Sequence, residues 1–85
     1  MTFFLPKMVT QENAMQLQKE GLLNLIALQS VDCSSLKDFD STVLTVLLAW
    51  KNRLEADGCS IKVDHAPEKL KVLASVYGVS ALLGL

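Results

Sequence analysis

Eighty-five residues with eight Lys and Arg, nine Asp and Glu, one His and two Cys describe a single small domain, 1–85, of nearly balanced charge. Within that length there is room for one core and none for a second, and only about 60–65% of the unfolded surface can be buried. The net charge of −1, the pI near 5.7 and the lack of adjacent basic residues argue against a surface for nucleic acid.

Hydrophobic residues make up 51% of the chain and the mean hydropathy is +0.34. A chain this small and this apolar leaves part of its apolar surface uncovered, which points to a protein partner. The longest apolar stretches, Leu22 to Leu28 and Val43 to Trp50, are each interrupted by a polar residue and fall well below the ~20 residues of a membrane helix. The opening MTFFLPKM has neither a basic region ahead of a long apolar stretch nor a small-residue cleavage site, so no signal peptide and a cytoplasmic location are expected.

Cys33 and Cys59 are expected to be reduced core residues, since neither lies in a C-x-x-C pair. His65 has no cysteine or histidine at ligand spacing, so no metal and no other cofactor are expected. Neither G-x-S-x-G nor a Gly-rich phosphate loop occurs, which leaves the usual nucleophile and nucleotide motifs missing.

In chain order, Thr2 to Leu5 reads as a short strand ended by Pro6, which cannot donate to a ladder. Thr10 stands in the position of an N-cap. Ala14, Leu17, Gly21, Leu22, Leu25 and Ile26 then share one side of a helix to about Ile26. Gly21 marks either close packing of that helix against the sheet or a break into two pieces. Gln29 to Ser34 is the central strand, and Ser35 to Asp40 supplies a turn.

From Ser41 to about Ala56 the apolar positions recur at helical spacing. Val43, Leu47, Trp50 and Leu54 cluster, flanked by Leu44 and Val46, while Ser41, Thr45, Ala49, Asn52 and Ala56 gather opposite. That second side is small and weakly polar, without the Lys and Glu of a typical solvated face. It is either a docking face or an ordinary exposed side of good helix formers. Asp40 and Ser41 both suit the N-cap, where the helix exposes unpaired N–H groups and roughly half an elementary positive charge. The Ser41 hydroxyl is therefore either a cap or a place for a partner or a phosphate.

Asp57-Gly58 stops the helix, Ser60 to Val63 alternates as the next strand, and Pro67 opens a helix to about Tyr77. Leu70, Leu73, Val76 and Tyr77 are expected to face inward, Gly78 ends the helix, and VSALLGL forms an edge strand or a terminal turn. Strands joined by helices of this length form parallel βαβ units.

The run Val31-Asp32-Cys33-Ser34, then Phe39-Asp40-Ser41-Thr42-Val43-Leu44, an apolar helix, a strand and a Pro-initiated helix resembles the STAS domain. That family is named for sulfate transporters and anti-sigma-factor antagonists, and within it the chain looks most like the short, single-domain MlaB type. The likeness covers roughly Gln29 to Val79, and Phe39-Asp40-Ser41 is its most specific piece. Thr42-Val43 departs from it, standing where family members commonly carry a small residue or glycine.

The resemblance implies an α/β, STAS-like fold: a small mixed sheet of about four strands with three helices packed mainly on one face. It implies a non-enzymatic subunit that docks on and regulates the ATPase of an ABC transporter for phospholipids, a system that maintains outer-membrane lipid asymmetry, and that touches the inner membrane only through the complex. By the same resemblance Ser41 is the interface hydroxyl or phosphoacceptor and Asp40 its acidic neighbour. Thr42, Thr45, Ala49 and Asn52 complete the expected partner interface. The alternative is a phospho-switch of the anti-sigma-factor-antagonist kind, with Ser41 the substrate of a serine kinase. Direct nucleotide binding comes last, having only a helix N-terminus in its favour.

Overall fold

Short β-prone runs separated by turn residues produce correspondingly short strands. The computed structural model describes residues 2–24 and 29–85. In order these are β1 (Phe3–Phe4), β2 (Met8–Val9), α1 (Ala14–Leu22), β3 (Ser30–Asp32), β4 (Asp38–Phe39), α2 (Thr42–Ala56), β5 (Lys62–Asp64), α3 (Glu68–Val76) and α4 (Ser80–Leu83). As expected, β3 is central: it pairs in parallel with β1 and β5, with Val31 opposite both Phe3 and Val63. Parallel neighbours need crossovers, and α1 and α2 supply them.

The α/β, STAS-like class expected from the sequence is present, with differences of detail. The turn foreseen over Ser35 to Asp40 contains β4, which pairs in parallel with β2 as a separate two-stranded sheet, Met8 opposite Asp38 and Val9 opposite Phe39. Neither strand could be read from two residues. Val9 of β2 and Leu36, just ahead of β4, are both buried in the core. The strand expected from Ser60 begins at Lys62, and the final residues form the short helix α4 instead of a strand or turn. Leu25 and Ile26, assigned above to the first helix, lie outside the described residues.

On α2 the periodicity is obeyed closely: Val43, Leu44, Val46, Leu47, Trp50 and Leu54 are all buried. Trp50 is fully enclosed, donates its Nε1–H to the Gln18 carbonyl at 3.1 Å, and meets the Phe3 ring edge-on with centroids 5.1 Å apart. Gly21 explains how α1 comes so near. A Cβ at that position would stand 2.5 Å from Cζ2 of Trp50 and nearer still to Cε2 and Nε1, so only hydrogen fits. The glycine was expected to press the helix onto the sheet; it presses it onto the indole of α2.

Two helix ends follow the glycine rule closely. After α2, Gly58 adopts φ 78° and its N–H reaches the Glu55 carbonyl at 3.0 Å, while the Cys59 N–H reaches Leu54 at 2.7 Å. After α3, Gly78 at φ 71° bonds Ser75 at 3.0 Å and Val79 bonds Ala74 at 2.9 Å. Both are Schellman caps, in which a left-handed residue returns two N–H groups to orphan carbonyls.

Three expectations are corrected. The N-cap of α1 is Asn13 and not Thr10: the Asn13 Oδ1 accepts the Thr10 N–H at 2.9 Å, closing the turn before the helix. On α3, Leu70 and Ala74 are buried and Leu73 half-buried, but Val76 is 75% and Tyr77 58% exposed. Val76 lies six positions from Leu70, off the stripe that Leu70 and Ala74 define, and Tyr77 is the C-cap, beyond the end of the core. The half-buried place there goes to Val79 after the Gly78 reversal.

No helix among the described residues is long and apolar enough to cross a membrane. Cys33 and Cys59 are both free, Cys33 buried and Cys59 half-buried. Burial, then the charges of Asp32 and Asp64, push the Cys33 thiol up to about 12.

Two predictions follow from this packing. Gly21→Ala should lower stability by about 1–3 kcal/mol, the cost of overpacking a filled core, seen as a lower urea midpoint at unchanged slope. Trp50→Phe, destabilising by itself, should cost less in the Gly21→Ala background than in wild type, because the two positions share one contact. In the folded protein at pH 8, a thiol-alkylating reagent should label Cys59 and leave Cys33 unmodified until denaturant is added, read by peptide mass.

Candidate functional site

The site is built at the junction of β4 and α2. The Asp40 N–H donates to the Val9 carbonyl at 3.2 Å, so the residue before the helix is tied to β2. Ser41 occupies the N-cap position with φ −63° and ψ −14°, already helical, and its side chain makes no capping bond. The cap comes from Asp40: its Oδ1 accepts the Thr42 N–H at 2.9 Å and the Thr42 hydroxyl as well. An aspartate that reaches the N–H two residues on is an Asx-turn, and here it satisfies one of the orphan donors of the first turn.

The electrostatics follow from those bonds. The Thr42 hydroxyl, then the Thr42 N–H, hold the Asp40 carboxyl below its ordinary value of 3.8, against a smaller opposing effect of burial; the Gln11 backbone adds to the lowering. The carboxylate is thus engaged with Thr42. Ser41, half-buried, is left without a capping role and open to other contacts.

Two grooves flank the first turns of α2. One, of ≈ 200 Å³, lies between α2 and the α3–α4 connection and is lined by Ser41, Leu44, Thr45, Leu48, Tyr77 and Val79. The other, of ≈ 300 Å³, lies between α2 and α1 and is lined by Gln11, Ala14, Met15, Gln18, Thr42, Thr45 and Val46. Thr45, exposed, borders both and forms the ridge between them. A larger hollow of ≈ 410 Å³ at the far end of α2, where the Lys51–Glu55 ion pair closes to 2.6 Å, shares no lining residue with these grooves.

Of the residues singled out in the sequence, Asp40, Ser41, Thr42 and Thr45 come together at this helix start. Ala49, half-buried, and Asn52, exposed, continue down α2 without lining either groove. Asp40 and Thr42 bond to one another, which distinguishes them from Ser41. Tyr77 and Val79 on one side and Gln11, Met15 and Gln18 on the other were missed. They belong to other elements, and Met15, 73% exposed, is the one with a visible signal: an apolar residue off the Leu17–Gly21 stripe. Among the described residues no three His, Cys, Asp or Glu side chains group as a metal site would require.

The family model described as Mlab, STAS domain matches residues 8–84. A search of curated proteins finds no match.

The Asp40 cap carries a pH signature. A carboxyl held below its unfolded value contributes stability that is complete above about 3.8 and is lost as pH falls through the lower folded value. Asp40→Ala should therefore lower the Tm at pH 7, and the gap to wild type should narrow below pH 3.8, measured by thermal melts across pH 2.5–7.

Proposed function

The chain belongs to the MlaB-type STAS domain family, and from that membership we propose that it is a non-enzymatic docking subunit, which binds and regulates the ATPase of an ABC transporter for phospholipids. The observation that carries the reading is the Thr45 ridge, set between two grooves of largely uncharged lining at a helix start whose Ser41 hydroxyl does no capping. Small side chains at Ser41, Thr45 and Ala49 allow a partner backbone to approach, and apolar groove floors give it surface to bury. Tyr77, exposed and lining the first groove, widens the apolar area available. In this reading the protein works in the cytoplasm and reaches the inner membrane only through the complex.

A second reading, a phospho-switch with Ser41 as substrate of a serine kinase, is favoured by the same unengaged hydroxyl. A phosphate there adds about −1.5 to −2 charges at the positive end of α2, which suits the helix and changes the surface offered to a partner.

Co-purification with the transporter's ATPase subunit is the direct check. Ser41→Glu and Thr45→Arg should each abolish capture while leaving the melting temperature within a few degrees of wild type; capture retained by both removes the ridge from the account. Intact mass of the protein from its native cell separates the readings. An 80-Da increment on Ser41 that abolishes ATPase capture would establish the switch, and its absence in cells holding the kinase would dismiss it.

A further inference from the structure

Asp40 and Thr42 bracket Ser41 in sequence and part from it in space. Thr42 and Gln11 line the groove on the α1 side, and it is Thr42 that holds the Asp40 carboxylate, through both its hydroxyl and its N–H. Ser41, one helical step of roughly 100° away, lines the groove on the α3 side. That groove is otherwise lined by Leu44, Thr45, Leu48, Tyr77 and Val79, with no charged side chain. The nearest carboxylate in sequence is thus bonded to a residue that lines the opposite groove.

We propose that Thr42 is a positioning residue for the docking face: its hydroxyl holds the Asp40 charge, so that Ser41 meets its partner across an uncharged groove. The inference rests on the docking reading above and states the chemistry of the counterpart: the ATPase segment that enters this groove is apolar and uncharged. A carboxylate free to swing toward Ser41 would be stripped of water on docking without a partner, and unpaired charge at an interface is costly. Thr42 therefore serves the Ser41 groove without lining it.

The test combines charge and clasp. With the full chain and the ATPase subunit, Thr42→Val should weaken binding roughly fivefold to tenfold, the worth of one hydrogen bond. Thr42→Ser should bind as wild type, and Asp40→Asn, which keeps an acceptor oxygen without the charge, should bind as wild type too. The double variant T42V/D40N should recover binding, because no charge remains to be released; a purely structural role for Thr42 predicts no such recovery. Wild-type binding by T42V, or loss of binding by D40N alone, overturns the proposal. Should T42V fail to fold, Thr42→Ala carries the same expectations, alone and with D40N. In the isolated chain, the Asp40 carboxyl followed by NMR should titrate higher in T42V than in wild type and return in T42S; an unchanged midpoint also overturns it. Failure of the docking reading itself would appear elsewhere, as undiminished capture by Ser41→Glu and Thr45→Arg.

Discussion

The contact between the Gly21 backbone and the Trp50 indole sets the spacing of the two central helices, and most of the remaining architecture is arranged around it. Trp50 is the largest enclosed side chain, with Phe3 against its ring and the Gln18 carbonyl on its N–H. A buried tryptophan contributes about 3–5 kcal/mol by the cost of truncating it, several times the ~1 kcal/mol of a helix cap. Where the two compete, the indole therefore decides where α1 lies, and caps adjust to it. That is why a glycine, which costs a helix roughly 1 kcal/mol against alanine, stands in the last turn of α1.

The same packing produces the candidate surface. With Val43, Leu44, Val46, Leu47 and Trp50 turned inward, Thr45 is left outward between α1 and the α3–α4 connection, and the grooves on either side are the gaps between neighbouring helices. Ser41 and Thr42 are chemically alike and adjacent, yet the fold assigns them different work. Asp40, anchored to β2 through its N–H and to α2 through its carboxylate, engages Thr42 and leaves Ser41 without a capping bond. In the proposed complex one hydroxyl then maintains the helix start while the other meets the partner.

Elements defined by local interactions were legible. The α2 stripe, the left-handed glycines at 58 and 78 and the parallel placement of β3 follow from periodicity, from the absence of a Cβ and from connection length. The candidate site was legible in part: Asp40, Ser41, Thr42 and Thr45 lie within six consecutive positions at the start of α2, so the chain itself keeps them close. The groove walls were not legible, because Tyr77, Val79, Met15 and Gln18 reach the site from elements distant in sequence. Tyr77 shows the difficulty, for an aromatic residue at core spacing reads as core until the helix proves to end beneath it.

Taken alone, the sequence determined the α/β class, the family, the inward stripe of α2 and the residues at its start, since each depends on chain neighbours or on a motif of near-contiguous residues. Tertiary structure alone decided that β2 and β4 pair apart from the main sheet and that Gly21 seats against an indole. It also decided that Tyr77 leaves the core for the rim of a groove, and that of two neighbouring hydroxyls Thr42 bonds Asp40 while Ser41 does no capping. These outcomes depend on which distant surfaces meet and which donor reaches an acceptor first. No window of residues read in isolation carries that information.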